Sequence, residues 1–170
     1  SENLVDAFAS GFDTGYFGDV TITSGSDYNV SDLITINEAT TGSITLSDVT
    51  VALSGSSSDL LNAFAGTFTS NHSGNITITD SASSLVTAAN LKTIGTRNHG
   101  TVEVLNAINI TGSKSDCTAA LITEATKVDL LEQDDDSTST VTVSDTVSVS
   151  EGYALATVAN ATVNFPNAGI

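Results

Sequence analysis

The clearest pattern in the chain is a short alternation of apolar and hydroxyl side chains. Residues 74–80 read GNITITD, where Ile76 and Ile78 alternate with Thr77 and Thr79. A period of two places the isoleucines on one face of a strand and the threonines on the other. The same kind of alternation predicts strands at residues 19–23, 43–47, 49–53, 75–79, 108–111, 127–131, 140–145 and 163–165.

The segments between these strands carry apolar residues at helical spacing. In residues 30–42, Ser31 is the predicted N-cap and Gly42 the predicted helix stop. Ser148 and Glu151 have the spacing of a capping box at the start of the last helix. Helices are predicted at residues 2–10, 30–42, 57–66, 116–126 and 148–162, and at the start of residues 90–104.

The chain repeats itself. Residues 3–23 lie over residues 59–79 at an offset of 56 without a gap, and nine of the 21 positions are identical. Residues 32–46 lie over residues 90–104 at an offset of 58. Repeats with apolar residues at matching places are typical of stacked similar units, each of which contacts only its neighbours.

Short strands that alternate with short helices predict parallel strands joined by right-handed crossovers. Two-residue Asn-Gly or Asp-Gly turns, which would indicate antiparallel hairpins, are absent from the sequence. We therefore predict an α/β solenoid of stacked parallel short strands and short helices. The alternative is a right-handed parallel β-helix. In either case residues 1–170 form one domain.

The predicted end units have no polar caps. The first predicted helix presents Leu4, Val5 and Phe8 from its start, and the chain ends in Asn-Ala-Gly-Ile. We expect these faces to continue into neighbouring repeats of a longer array or to pair end to end between molecules. The chain begins at Ser1 without a methionine, so we expect a processed product or a piece of that array.

Four basic residues stand against 20 acidic ones, which gives a net charge of −16. Nucleic acids and anionic membrane surfaces are bound through clusters of Lys and Arg. The charge therefore argues against both as partners. No apolar run reaches the roughly 18 residues of a membrane span, and no signal-peptide pattern is visible.

The strongest candidate for a metal site is the acidic set Glu132, Asp134, Asp135 and Asp136. Close carboxylate oxygens are the ligands that Ca²⁺ requires, although this spacing is not that of an EF-hand. The set is interpreted either as a solvated run of charge or as a weak calcium site.

A second acidic pattern is formed by Asp48, Asp80 and Asp145, each of which closes a predicted strand. Stacked strands would align them in a ladder, whose mutual repulsion would require cations. Alternatively, each aspartate accepts backbone N–H groups in its own turn, which is the interpretation we favour.

Hydroxyl pairs on the predicted outer faces of the strands have the Thr-x-Thr form of ice-binding solenoids. They are Thr21/Thr23, Ser43/Thr45/Ser47, Thr77/Thr79 and Thr140/Thr142. Glu103 interrupts the series. Threonine also suits any exposed strand face, so a purely structural role is the competing interpretation.

The sequence offers few candidates for catalytic residues. His72 and His99 follow Asn71 and Asn98 in two predicted loops, where they would either share a metal or face solvent. No base-orienting acid or Gly-x-Ser-x-Gly elbow lies near them. Polysaccharide lyases on parallel β-helices use a basic residue supported by arginines, and the four basic residues are too scattered for that: Lys92, Arg97, Lys114 and Lys127.

Two further residue types give no sign of a binding groove or a nucleophile. The tyrosines Tyr16, Tyr28 and Tyr153 fall in unrelated parts of the repeat. Cys117 begins an apolar run and is predicted to be a small buried side chain. We therefore predict a protein that is not an enzyme.

Strand phrases such as ITLSD, ITITD and VTVSD, followed by Ala- and Leu-rich helices and endings such as ATTG, resemble the degenerate repeats of very large secreted bacterial proteins. Those proteins are cyanobacterial and marine surface, haemolysin-like or adhesin-like ones. The resemblance implies a secreted or cell-surface location. Glycine-rich GGxGxD calcium repeats, which often accompany such regions, are absent here.

We therefore expect a structural or adhesive repeat module that serves as an extended spacer or interaction surface. Its partners would be neighbouring repeats, another copy, or a polysaccharide or other cell-surface component. The alternative is a calcium- or carbohydrate-binding β-helix module. An ice-binding protein and a polysaccharide-active enzyme fit the sequence less well.

Overall fold

The computed structural model describes residues 15–23, 28–130, 138–158 and 161–167, together with Asp6. These residues form five helices and eleven strands. The helices are α1 (Val30–Ala39), α2 (Ser57–Ala63), α3 (Ala88–Arg97), α4 (Lys114–Leu121) and α5 (Val149–Val158). The strands are β1 (Val20–Ile22), β2 (Ser43–Leu46), β3 (Leu53–Gly55), β4 (Thr67–Phe68), β5 (Ile76–Ile78), β6 (Leu85–Thr87), β7 (Val102–Val104), β8 (Asn109–Gly112), β9 (Asp129–Leu130), β10 (Thr140–Val143) and β11 (Thr162–Asn164).

The strands form three sheets in which every pairing is parallel. Their strand orders are β1-β2-β4, β3-β5-β7-β9 and β6-β8-β10-β11. The helices contact one another in chain order, from α1 against α2 to α4 against α5. The structure is therefore mixed α/β with parallel sheets, which confirms this part of the predicted fold class.

The sequence repeat is also a repeat of backbone pairing. β1 pairs with β2 so that Val20 lies opposite Ile44. β5 pairs with β7 so that Ile76 lies opposite Val102. The offsets of 56 and 58 found in the sequence carry the first pair onto the second. We call residues 16–46 the first copy and residues 72–104 the second copy.

Each copy also has an isolated parallel bridge just before its strands. In the first copy the bridge joins Tyr16 and Thr40, and in the second it joins His72 and Asn98. The same offsets relate the two bridges, since the N–H of Tyr16 donates to Ala39 O (2.9 Å) and that of His72 donates to Arg97 O (3.2 Å). The two copies therefore share their backbone contacts as well as their apolar residues.

Four strands begin with the same five-residue phrase, a glycine, a polar residue, and two aliphatic residues separated by one position. The phrases are GDVTI, GSITL, GNITI and GTVEV, beginning at Gly18, Gly42, Gly74 and Gly100. A Cβ atom at Gly42 would lie 2.2 Å from the carbonyl oxygen of Gly18, and one at Gly100 would lie 2.4 Å from that of Gly74. Neighbouring backbones thus approach too closely at these places for any side chain.

The aliphatic residues of these phrases build the core. In β5, Ile76 and Ile78 are 1% and 0% exposed, whereas Thr77 between them faces outward. Burying an isoleucine side chain contributes roughly 1.5–3 kcal/mol. The buried apolar residues form one cluster that extends from Val20 to Leu155. Every helix and all three sheets contribute to that cluster, and no sheet has a core of its own.

The helices begin at side-chain caps, and one predicted cap was wrong. Asn29, not Ser31, caps α1, because its Oδ1 accepts the backbone N–H of Asp32 (3.0 Å). Ser31 lies inside the helix and donates to Asn29 instead. The predicted box at Ser148 and Glu151 is confirmed, since the Glu151 carboxylate accepts the Ser148 N–H (2.9 Å) and Ser148 Oγ accepts the Glu151 N–H (3.4 Å).

Gly42 does not end α1 as predicted. The helix ends before Thr40, whose backbone is extended (φ −124°, ψ 144°) and whose N–H bonds to Ile36 O. Gly42 follows two residues later and is needed for the close approach to Gly18. Its role is therefore packing between strands and not helix termination.

Several other element boundaries differ from the predictions. β3 occupies Leu53–Gly55 and not residues 49–53, because the carbonyl of Val49 accepts the N–H groups of Ser73 and Gly74 in a loop. α4 begins and ends earlier than residues 116–126. β4 and β6 were not predicted. The predicted helix at residues 2–10 lies outside the described residues except for Asp6, which is helical and exposed.

Candidate functional site

The predicted calcium ligands Glu132, Asp134, Asp135 and Asp136 lie outside the described residues. Among the residues that are described, no group of three or more His, Cys, Asp or Glu side chains is arranged to hold a metal ion. The calcium site stays a prediction.

The predicted aspartate ladder does not form. Asp48, Asp80 and Asp145 follow β2, β5 and β10, and these strands belong to three different sheets. The favoured alternative is confirmed for Asp48, whose Oδ1 accepts the N–H (2.8 Å) and the hydroxyl (2.6 Å) of Thr50. The Thr50 hydroxyl and then its N–H hold the pKa of Asp48 below its usual value.

Asp80 and Asp145 instead bind the first residues of helices. Asp80 accepts the N–H of Ser57 (2.7 Å) at the start of α2, and Asp145 accepts the N–H of Lys114 (2.8 Å) at the start of α4. A carboxylate in this position satisfies an otherwise unpaired N–H and interacts favourably with the helix dipole. Each of these two carboxylates therefore stabilises the start of a helix.

The two Asn-His dipeptides pair with each other beside the parallel bridge between His72 and Asn98. His72 Nδ1 lies 2.9 Å from Asn98 Oδ1, and His99 Nε2 lies 3.0 Å from Asn71 Nδ2. Asn98 Nδ2 donates to Thr101 O, so its Oδ1 is the atom facing the ring and His72 Nδ1 must carry the proton. One nitrogen of each ring is thus paired with an asparagine, and among the described residues neither histidine belongs to a group of three or more potential metal ligands.

His72 is not the solvent-facing residue expected of a loop histidine. Its side chain is 2% exposed and packs against the ring of Phe64, with centroids 5.8 Å apart. Its Nε2 is buried and has no hydrogen-bond partner within the described residues. A cavity of about 10 Å³ adjoins it, lined in part by Phe68 and Arg97, and such a volume holds about one water molecule.

Two lysines join consecutive helices. Lys92 Nζ lies 2.9 Å from Asp116 Oδ1, which links α3 to α4, and Lys114 Nζ lies 2.8 Å from Glu151 Oε1, which links α4 to α5. The hydrogen bond from Lys114, followed by those from Ser148, lowers the pKa of Glu151 to about 2. These pairs connect structural elements and do not converge on a cleft.

The tyrosines and the cysteine have separate environments. The Tyr28 hydroxyl donates to Asp48 O (2.6 Å), and burial raises its pKa to about 12. Tyr153, in contrast, is 72% exposed on α5. Cys117 is buried as predicted, and this burial raises the pKa of its thiol to about 11. A thiol with such a pKa is a poor nucleophile at neutral pH.

Hydroxyl groups do form ranks on the outer face of the sheet β1-β2-β4. Thr21 lies opposite Thr45, and the hydroxyl of Thr69 donates to that of Thr45 (3.1 Å). A second rank lies on β6, β8 and β10, where Thr111 lies opposite Thr87 on one side and Thr142 on the other. The third sheet breaks the pattern, because Glu103 lies opposite Thr77 as the sequence predicted.

The sequence pattern did not reveal an apolar groove on the outer face of α5. Val149, Tyr153 and Ala156 lie at i, i+4 and i+7 on α5, and all three are exposed. With Val147, Gly152 and Phe165 they line an open groove of about 290 Å³. The helical spacing of these residues was the available signal.

Comparisons with protein-family models, with curated proteins and with solved structures found no match to this chain. Among the described helices, none is long and apolar enough to cross a membrane.

Proposed function

We propose that the chain is a structural repeat module without enzymatic activity, built as an α/β solenoid and serving as a spacer or interaction surface of a secreted or cell-surface protein. The observation that carries the proposal is the recurrence of one backbone bridge in two copies, between Tyr16 and Thr40 and between His72 and Asn98. A unit that repeats its contacts with its neighbour can be added without a new core.

The side-chain chemistry of the described residues favours this proposal. The titratable groups with specific partners are used between elements: Asp80 and Asp145 at helix starts, Lys92 and Lys114 between helices. Active sites, in contrast, gather groups with perturbed pKa values around one cleft. This arrangement supports a role that depends on the length and the surface of the module and not on a catalysed reaction.

The solenoid is tested by lengthening the chain. Ile76 lies opposite Val102. In the proposed solenoid residues 76–101 would therefore make one full turn, and a duplicate inserted after Thr101 should add one unit in register. We expect the longer protein to fold cooperatively with unchanged helicity per residue, and its largest dimension in X-ray scattering to grow by about 4.8 Å, the spacing between strands. An insert of the same composition in shuffled order is the control. Unfolding of the duplicate to the same extent as the shuffled insert would exclude the solenoid.

A carbohydrate-binding role is the second candidate, favoured by the hydroxyl rank at Thr21, Thr45 and Thr69, which carries no charge. Sedimentation with insoluble polysaccharides separates the two roles, because a spacer should stay in the supernatant. Retention that is lost in Thr45→Glu would favour carbohydrate binding.

Calcium binding is tested by thermal unfolding with calcium and with a chelator. A ligand that binds only the folded state raises the unfolding midpoint. The structural role alone predicts the same midpoint in both conditions, and a higher midpoint in calcium that disappears in Asp134→Asn with Asp136→Asn would establish the site.

A further inference from the structure

His72 carries a buried hydrogen-bond acceptor for which the described residues provide no donor. Its Nδ1–H donates to Asn98 Oδ1 (2.9 Å), so its Nε2 holds a lone pair. The residue is 2% exposed, and Nε2 has no hydrogen-bond partner among the described residues. Buried polar atoms in proteins are generally satisfied, either by another protein group or by an ordered water. This nitrogen therefore requires a donor from outside the described part of the chain.

The small cavity beside the imidazole ring has the size and the lining of a hydration site. Its volume of about 10 Å³ is close to that of one water-sized probe. Besides His72, it is lined by three apolar and three polar side chains, which are Leu46, Phe64, Phe68, Ser70, Asn71 and Arg97. Asn98 holds the Nδ1 side of the ring and does not line the cavity, which leaves the Nε2 side to face it.

We propose that this cavity binds one water molecule, which donates a hydrogen bond to His72 Nε2. The ligand is a donor because Nε2 accepts, and it has the size of water because the cavity has no room for more. A metal ion is the poorer occupant, since no three potential ligands gather here among the described residues.

The cavity also offers the further partners that a buried water needs, which are roughly two to four in all. The hydroxyl of Ser70 and the guanidinium of Arg97 are polar groups of the lining. Asn71 is less available, because its Nδ2 already donates to Thr96 O (3.3 Å). The water thus joins His72 to a mouth formed by exposed residues.

The first copy of the repeat shows why this site belongs to the second copy. At the place of Asn98 the first copy has Thr40. The Thr40 hydroxyl donates to Gly18 O (2.8 Å) and accepts the N–H of Gly42 (3.0 Å). Both bonds are made within the protein, so Thr40 needs no ligand. A water at His72 does in the second copy what the backbone does in the first.

Nuclear magnetic resonance of the full chain with labelled histidine tests the proposal. At about pH 8 an ordinary imidazole is neutral. We expect the His72 ring to carry its proton on Nδ1 and to give a cross-relaxation peak with a long-lived water. His99 is exposed and should give no such peak. A His72 ring without a bound-water peak, or with its proton on Nε2, would overturn the proposal.

Filling the cavity in two backgrounds gives a second test. Leu46→Met places a longer side chain at the cavity. In the wild-type background it should expel the water and leave Nε2 unpaired, so the equilibrium constant for unfolding should rise about tenfold. In His72→Phe, which has no Nε2, the same substitution should leave that constant unchanged or lower it, because no hydrogen bond to water is lost.

Leu155→Met is the matched control. Leu155 is 1% exposed and does not line the cavity, so its substitution should have the same effect in both backgrounds. An equal change for Leu46→Met in the two backgrounds, of either sign, would show that no hydrogen bond of His72 depends on the cavity and would overturn the proposal. If the paired variants do not fold, the resonance measurement on the wild-type chain decides alone. The duplication of residues 76–101 tests the solenoid separately.

Discussion

The two copies of the repeat keep the same backbone contacts but use different polar side chains. In the first copy, Thr40 donates its hydroxyl to Gly18 O (2.8 Å) and accepts the N–H of Gly42 (3.0 Å). In the second copy the corresponding contact is a side-chain pair between His72 and Asn98. The glycines and aliphatic residues therefore define the unit, whereas the polar contacts between units can be exchanged.

The copies also differ in their surroundings. Among the described strands, β1 lies at the edge of its sheet and pairs with β2 alone, whereas β5 lies between β3 and β7. The second copy has two more residues between its first strand and its helix, and this segment forms β6. The same phrase thus serves both at the edge of one sheet and in the interior of another.

The largest effect is expected from truncating the equivalent isoleucines Ile22 and Ile78. Both are buried, at 2% and 0% exposed, so each alanine variant should lower the free energy of unfolding by about 2–5 kcal/mol. Ile78→Ala should lie at the upper end because β5 has neighbours on both sides. Chemical denaturation measures both values.

Thr77→Ala, on the outer face of the same strand, is the control for this pair and should change the stability by no more than about 0.5 kcal/mol. If Ile22→Ala and Ile78→Ala lowered the free energy of unfolding equally, burial on an edge strand and on an interior strand would stabilise the fold equally. That result would contradict the difference between the copies.

Alanine at the paired glycines should have the next largest effect. Gly42→Ala and Gly100→Ala would each place a Cβ atom against the backbone of a neighbouring strand, and the necessary shift should cost about 1–3 kcal/mol. Gly152→Ala is the control, since its Cβ would lie 3.4 Å from the Phe165 ring and alanine favours a helix interior by about 1 kcal/mol. If Gly42→Ala were as stable as Gly152→Ala, a side chain would be tolerated at Gly42 and the close approach of the backbones would not require glycine there.

The His72–Asn98 pair should show a smaller, coupled effect. His72→Leu leaves Asn98 Oδ1 without its donor in a buried site, and Asn98→Leu leaves the His72 N–H without its acceptor, so each should cost about 1–3 kcal/mol. The double variant should cost less than the sum by about 1 kcal/mol. Additive losses in this double-mutant cycle would show that the hydrogen bond contributes nothing specific to the second copy.

The smallest effect concerns a contact that only the second copy has. Lys92 pairs with Asp116 across α3 and α4, and its counterpart in the first copy is Ile34, which borders the same groove as Asp59. Ile34→Lys should form the missing ion pair across α1 and α2 and raise the stability by about 0.2–1 kcal/mol at low salt.

Asp59→Asn in the Ile34→Lys background is the control, and it should abolish the gain. The gain should also shrink at high salt, because the pair is exposed to solvent. A gain that persists in both tests would come from some source other than an ion pair.

The sequence predicted those parts of the fold that depend on local pattern. The alternation of Ile76 and Ile78 with threonines placed β5 correctly, and the offset of 58 placed α3 by analogy with α1. What the sequence could not predict was the sheet that each strand joins. β3 and β6 both precede a helix, yet they join different sheets, because an alternating pattern determines which face of a strand is buried and not which strand lies beside it.

The candidate sites were predictable to a smaller extent. The two Asn-His dipeptides were visible, but their cross-pairing requires His72 and Asn98 to meet although 26 residues separate them in the chain. The aspartate ladder failed for the same reason, since Asp48, Asp80 and Asp145 end strands of different sheets. The exposed stripe at Val149 and Tyr153 was readable from its spacing, but only the structure distinguishes a covered stripe from an open one.

The five-residue phrase that four strands share can be used to search a longer polypeptide for further copies of the same unit. At Gly42, Gly74 and Gly100 the glycine is required because a Cβ atom would meet the backbone of another segment. The third and fifth residues of the phrase are aliphatic because they point inward. The intervals between successive glycines, from Gly18 through Gly42 and Gly74 to Gly100, are 24, 32 and 26 residues. A scan of flanking sequence for this phrase at such intervals would count units without any overall similarity between them.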